Sequence, residues 1–332
     1  VSEPVAAVDG VDGAGGVAGV DPAGDPFAWL PATIVSSVAQ TSRARSLTLA
    51  VPGLRPARAG QHVDLRLTAD DGYTAVRSYS LSDVRASGVF GVSGVSDGDG
   101  RGAGPAVDGA RGAGGAGPVP QIEVTVERLD DGEVSPYLVD AAEPGDPIEV
   151  RGPIGGWFVW PPTEFEPGSA VHAVLPEPEG AAPPTSAPVQ LIGGGSGVAP
   201  LMAMVRARGR DAPPMRLLAS VRDPGSRWYV AELDEAARAS SGHDAAADAG
   251  GGAGRSAPLA VDWVFSRTAP EGHDRQAGRL TRDELERLVL PASEHPLVYV
   301  CGANSFVAVV AGWLVELGHA PTRVRTERFG GV

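Results

Sequence analysis

From Val189 onward the chain alternates short apolar runs with helix-period stretches, and this rhythm restricts the fold more than any other feature. VQLIGGG is followed by VAPLMAMVRAR, MRLLASVR by VAELDEAAR, LAVDWVFSR by TRDELERLV, and PLVYVCG by SFVAVVAGWLVELG; TRVRTERFGG closes the series. Short runs that are apolar throughout suit strands buried on both faces, and an intervening helix is the usual crossover between parallel strands. The expected architecture is an α/β open parallel sheet with helices on both faces. Ligands in such sheets lie at the carboxyl ends of the strands.

The first half has a different texture. WLPATIVSSVAQ, RSLTLAV, HVDLRLTA and TAVRSYSLS are rich in Val, Leu and Thr and are punctuated by Pro and Gly. QIEVTVERL alternates, with Ile122, Val124 and Val126 on one face, and PIEVRGPIGGWFVW follows. About six strands and one short helix near Pro136–Ala141 predict an antiparallel β-barrel. With 46 glycines and 30 prolines in 332 residues, some of the chain has too little apolar surface to offset its ordering entropy. The expected organisation is a disordered segment 1–26, a barrel 27–160 interrupted by a disordered insertion about 84–119, and an α/β domain 161–332 with flexible segments about 176–187 and 239–257.

Charge and cysteine content exclude several classes. The formal charge is −14, which repels a nucleic-acid backbone, so no nucleic-acid partner is expected. All 27 basic residues are arginine, which removes Schiff-base and P-loop lysine chemistry. Cys301 is the one cysteine, so no internal disulfide or four-cysteine cluster forms within the sequence. No apolar run approaches the roughly 18–20 residues needed for a membrane span. Residues 1–26 carry acid and glycine where an export signal needs a basic start, so a cytoplasmic location is expected. The six histidines show no metal-ligand spacing and read as structural or surface residues; no metal is expected.

Several short motifs carry chemistry. Gly193-Gly194-Gly195-Ser196-Gly197-Val198-Ala199-Pro200 lies between a strand and a helix, where glycines allow close approach and helix N–H groups suit a pyrophosphate. It is neither a P-loop nor a strict GxGxxG, and a glycine turn without ligand reads equally from these residues. Arg77-Ser78-Tyr79-Ser80 ends a barrel strand; such an arginine reaches a diphosphate and such a tyrosine lies against an aromatic ring. Gly132-Glu133-Val134-Ser135 precedes the short helix, where Ser135 suits either a phosphate or an ordinary N-cap. Cys301-Gly302 ends a strand at the ligand edge, where a small buried residue is the alternative. Ser266-Arg267, Arg222 and Arg275 follow strands and suit a phosphate dianion, or are solvated arginines.

Together these residues resemble the ferredoxin–NADP reductase superfamily, in the bacterial form without a fused iron–sulfur domain. Arg77-Ser78-Tyr79-Ser80 is similar to its RxYS flavin motif, and Gly152-Pro153-Ile154-Gly155-Gly156-Trp157-Phe158 to its GPxGxF segment. Gly193–Pro200 resembles the GGGTGxxP nucleotide loop with Ser196 in place of threonine, and Cys301-Gly302 the late CG motif. Glu327-Arg328-Phe329-Gly330 resembles the chain end of many bacterial members. The sequence departs from the family at Glu127-Arg128, where a lysine is common, and in the three residues after Phe329.

The resemblance implies FAD between two domains, with Arg77 at its diphosphate, Tyr79 on its ring, Ser80 near its N5, and Gly132, Val134 and Ser135 at its phosphates. It places Gly193, Gly194, Gly195, Ser196, Gly197 and Pro200 at the nicotinamide nucleotide, with Cys301 and Gly302 beside its reacting carbon. Ser80, Cys301 and Glu327 form the implied catalytic set, and Phe329 shields the other flavin face. Arg222, Ser266 and Arg267 imply NADPH, with NADH as the alternative. The implied function is hydride transfer from NAD(P)H to FAD, then electron delivery to a separate ferredoxin, flavodoxin or oxygenase component. Two rivals remain: a flavin reductase or diaphorase using free flavin, quinone or oxygen, and a non-catalytic nucleotide-binding electron-transfer subunit.

Overall fold

The computed structural model describes residues 27–69, 71–84, 118–162, 177–209, 211–241 and 258–330. The stretches 1–26, 85–117 and 242–257, where disorder or flexibility was expected, lie outside these residues.

Six strands close an antiparallel barrel. They are β1 (Leu30–Thr41), β2 (Ala44–Ala50), β3 (His62–Thr68), β4 (Thr74–Asp83), β5 (Gln121–Glu127) and β6 (Pro147–Ile154), paired in the order β1-β2-β5-β4-β3-β6. Helix α1 (Ser135–Asp140) sits between β5 and β6. The inward alternation is clearest at the start of β1, where Leu30, Ala32 and Ile34 are buried between exposed neighbours.

The second half forms a five-stranded sheet of β7 (Val189–Gly194), β8 (Met215–Val221), β9 (Leu259–Phe265), β10 (Leu297–Ala303) and β11 (Val324–Phe329). The order is β11-β10-β7-β8-β9, with every pair parallel. Helices α2 (Val198–Arg206), α3 (Val230–Ser241), α4 (Arg282–Leu288) and α5 (Asn304–Glu316) make the connections. Strand order reverses at β7, so a crevice opens where β7 and β10 end, at Gly193-Gly194 and Cys301-Gly302.

Two stretches are more ordered than the composition suggested. Residues 177–187 contain only turns, but the buried Arg323 fastens them. Its guanidinium donates to Glu177 Oε2 (2.7 Å), the Ala182 carbonyl (2.6 Å) and the His295 carbonyl (2.6 Å). Helix α3 runs to Ser241, into the segment expected to be flexible, because buried Ser240 accepts the Leu259 N–H (3.0 Å) and so ties the helix to β9. Among the described residues, no helix is long and apolar enough to cross a membrane.

The crevice depends on one backbone-to-backbone approach. A Cβ on Gly197 would lie 2.2 Å from the Cys301 carbonyl oxygen, and backbone cannot step aside as a side chain can. Gly197→Ala is therefore expected to lower stability by about 1–3 kcal/mol, read as a lower urea midpoint; an unchanged midpoint contradicts this contact.

Candidate active site

Two clefts meet at the junction of the barrel and the parallel sheet. One, of about 510 Å³, is lined by Arg77, Ser78, Tyr79 and Ser80 of β4, by Gly132, Val134 and Ser135 at α1, and by Ser196 and Phe329 from the other half. The second, of about 500 Å³, is lined by Gly194, Gly195 and Ser196, by Arg222 and Ser266 past β8 and β9, and by Ser42 and Arg43 of the barrel. Ser196, Phe329, Ala303 and Glu127 line both, so the clefts adjoin.

In the first cleft the backbone shape comes from Ser135. Its Oγ accepts the Leu129 N–H (3.0 Å), and Gly132 lies so close that a Cβ would be 2.9 Å from that oxygen. The helix cap itself is Val134, not Ser135. The hydroxyl thus accepts within the loop and keeps its proton to donate outward. Arg77 is half exposed and donates to Glu133 Oε2 (2.9 Å) and the Val76 carbonyl (2.8 Å). Ser78 turns the other way and donates to Asp64 (2.5 Å), which also holds Arg151. Burial pushes the Tyr79 phenol up to about 12, so it stays neutral.

At the junction, strand register aligns the candidate catalytic residues. Cys301 of β10 pairs with Gly193 of β7 on one side and Glu327 of β11 on the other. Ser80 Oγ donates to Glu327 Oε1 at 3.4 Å, while Glu327 Oε2 is buried without a partner. Burial raises the Glu327 carboxyl to about 7. Burial, reinforced by the Glu327 charge, pushes the Cys301 thiol well up, so it remains a thiol and not a nucleophile.

Sequence reading passed over two residues here. His62, taken as structural or surface, stands opposite Ser80 in the β3–β4 pairing, with Nδ1 3.8 Å from Glu327 Oε1. Burial lowers its pKa, so the imidazole is neutral near pH 7. Its partners are distant in sequence, so local spacing carries no trace of them. Arg43, half exposed and bonded to Asp130 (3.0 Å), reaches the second cleft from the barrel. It became visible only through the β2–β5 pairing that sets it beside Arg128.

The phosphate candidates divide. Ser266 and Arg222 line the second cleft. Arg267 gives its N–H to the Arg222 carbonyl (2.9 Å), and its exposed side chain lies outside that lining. Arg275 is not available for a ligand. It is bonded to Glu284 (2.9 and 3.0 Å) and to the Phe265 and Gly278 carbonyls, and it lowers the Glu284 carboxyl to about 2. Glu284 also completes the capping box of α4 with Thr281, so part of that helix's charge is structural and not merely solvated. Pro200 is buried in the first turn of α2 and shapes it without facing either cleft. Gly302, at φ +156°, lies against the Gly194 backbone.

Comparison with known proteins agrees with this geometry. The family described as the oxidoreductase NAD-binding domain matches residues 191–312. The ferredoxin reductase component of a 3-ketosteroid-9-alpha-monooxygenase from Rhodococcus rhodochrous is 25% identical over 90% of this chain and 65% of its own. The two-domain fold is the one seen in ferredoxin–NADP reductase-like structures, and the family match falls on its second half. The chain is 23% identical to a flavohemoprotein of Bacillus subtilis over 82% of its length, and it spans about half of that relative (51%). Among solved structures, a ferredoxin NADP+ reductase from Neisseria gonorrhoeae with bound FAD and NADP superposes with a TM-score of 0.57 at 15% identity, covering 90% of this chain and 98% of that one. The FAD/NAD-binding domain of nitric oxide dioxygenase from Vibrio cholerae gives 0.60 at 18% identity, covering 91% and 99%.

The donor set fits FAD and a nicotinamide nucleotide, the two groups that this fold implies. The first cleft offers a neutral aromatic face at Tyr79, a guanidinium at Arg77 and the Ser135 hydroxyl, and its Ser80 donates to Glu327, whose other carboxyl oxygen is buried without a partner. The second offers a glycine turn at a helix start and open space at Gly195.

The raised Glu327 carboxyl has a measurable consequence. Its folded pKa of about 7 lies above the ordinary unfolded value, so the native state holds the proton longer. Stability from this group is complete below the unfolded pKa and is lost as pH rises toward 7. Relative to the parent, Glu327→Gln is expected to gain on the order of 3 kcal/mol between acid pH and neutrality. Urea midpoints across that range check it, and parallel profiles for the two proteins contradict it.

Proposed function

We propose that this chain is an NAD(P)H-dependent flavoprotein oxidoreductase that moves a hydride from NADPH to FAD and passes the electrons to a separate acceptor protein. The observation that supports it most is the meeting of Ser80, which lines the first cleft, with Glu327, and the pairing of Glu327 with Cys301 in the parallel sheet. Bound FAD supplies the hydride acceptor and the outlet for electrons.

In this reading each residue has a defined task. Arg77 and Ser135 bind the flavin diphosphate, and the Arg77–Glu133 pair, being exposed, costs little to exchange for it. Gly132 and Val134 give the backbone its close approach there, and Tyr79 presents its neutral ring to the flavin. Ser78 orients the strand through Asp64. The Gly193–Gly197 turn holds the nucleotide pyrophosphate at the start of α2, whose first turn Pro200 shapes, assisted across the cleft by Arg43. Arg222 and Ser266 receive the adenosine phosphate, which favours NADPH over NADH. Cys301 and Gly302 keep the nicotinamide side dry, and Phe329 covers the junction. Ser80 and Glu327 hold a proton beside the reacting centre, with His62 between Glu327 and the barrel rim.

The Rhodococcus relative is, by name, one component of a monooxygenase. A sequence with one cysteine holds no four-cysteine iron–sulfur cluster, which supports an acceptor centre carried elsewhere, in a ferredoxin, flavodoxin or oxygenase component.

The test is anaerobic mixing of the FAD-loaded protein with NADPH, then with NADH, following the visible flavin band. Rapid bleaching, faster with NADPH, is expected. A chain that keeps its FAD oxidised under either nucleotide overturns the proposal in favour of a non-catalytic subunit.

A further inference from the structure

Helix α2 starts at the glycine turn and ends at Arg206, and that end is embedded in a polar joint between the two halves of the molecule. The Arg206 guanidinium donates to two barrel acceptors, the Ser82 carbonyl (3.1 Å) and Glu123 Oε1 (2.6 Å). It also forks onto Glu232 of α3 (2.8 and 2.6 Å). Its side chain is 8% exposed and lies over the Tyr229 ring at 5.2 Å. Tyr229 is itself buried at φ +56°, a conformation that bulky residues rarely adopt. Its N–H donates to Gln40 Oε1 (3.0 Å) and its hydroxyl to Thr125 Oγ1 (2.6 Å). Thr125 in turn bonds Ser46 (2.7 Å) and Ser82 (3.2 Å). Strands β1, β2, β4 and β5 are thereby tied to α2 and α3.

Stability alone is a poor reason for this arrangement. A buried ion triad pays a desolvation penalty that apolar packing avoids, and a left-handed tyrosine adds strain. What it supplies is directional geometry between two specific elements. Ser82 stands two residues from Ser80 on β4, and α2 carries Ala199 at its other end, beside Ser196 of the glycine turn, against the same cleft. A helix of nine residues is about 13 Å long, so a tilt of about 5° at Arg206 moves the glycine turn by about 1 Å. A misplacement of about 1 Å can cost roughly a hundredfold in a positioned reaction.

We propose that Arg206 and Tyr229 are positioning residues whose joint sets the spacing between the Gly193–Gly197 turn and Tyr79–Ser80. The proposal rests on the reductase reading for its consequence in rate, but not for its structural content.

The variants are Arg206→Lys, which keeps the charge but cannot fork between Glu232 and the barrel, and Tyr229→Phe, which removes one hydroxyl. Two readouts apply to the full chain. Amide hydrogen exchange without nucleotide is expected to quicken at residues 193–199 in both variants. Flavin reduction by saturating NADPH is expected to slow by about 10- to 100-fold in Arg206→Lys and by a smaller factor in Tyr229→Phe, with NADP+ affinity within about threefold of the parent. If Arg206→Lys does not fold, Tyr229→Phe carries both readouts. Unchanged exchange overturns the joint. Faster exchange with an unchanged reduction rate overturns its role in spacing. A parent that NADPH does not reduce is a failure of the reductase reading, and exchange at 193–199 then still decides whether the joint holds the turn.

Discussion

Contact between the glycine turn and the end of β10 is the constraint on which the rest of the site depends. Gly197 lies against the Cys301 carbonyl, and Gly302 lies against Gly194 with the Phe306 ring packed on both. Because the turn seats so deeply, Ser196 reaches both clefts and α2 starts at their common wall. The parallel register through β7, β10 and β11 then fixes Cys301 between Gly193 and Glu327. Side chains supply the chemistry, but backbone contact sets where they stand.

A second constraint is electrostatic. With arginine as the only basic residue type in a chain of net charge −14, each cation is a planar fork, suited to several acceptors at once. Arg206, Arg275 and Arg323 use that property internally, each bonding a carboxylate and at least one carbonyl. Arg43, Arg77 and Arg222 stay at the clefts, and the first two each bond one exposed carboxylate and one backbone carbonyl. Exposed pairs contribute little, so these arginines can exchange their partners for phosphate without much loss.

Both sheets were legible in the sequence because their periods differ: alternation in the barrel and continuous apolar runs between helices afterwards. Motif residues that are contiguous in sequence, such as Arg77 to Ser80 and Gly193 to Gly197, were equally legible. Residues whose role comes from strand pairing were not. His62 meets Glu327 only because β3 lies beside β4 and β11 approaches them, and Arg43 reaches the second cleft only through a hairpin. Arg275 failed in the opposite direction. It follows a strand as a phosphate-binding arginine would, but Glu284, nine residues later on α4, claims it. Composition also misled at Ser240 and at 177–187, where one buried hydroxyl and one buried guanidinium outweigh many small residues.

The central claim is that the cleft between β4, α1 and the end of β11 is a flavin site with Tyr79 against the ring. Titrating the flavin-free protein with FAD and following flavin emission tests it most directly. The account predicts saturable uptake of FAD with quenched emission, and bright emission from the FAD bound by Tyr79→Leu. Failure of the parent to take up FAD, or equal quenching in the variant, contradicts it.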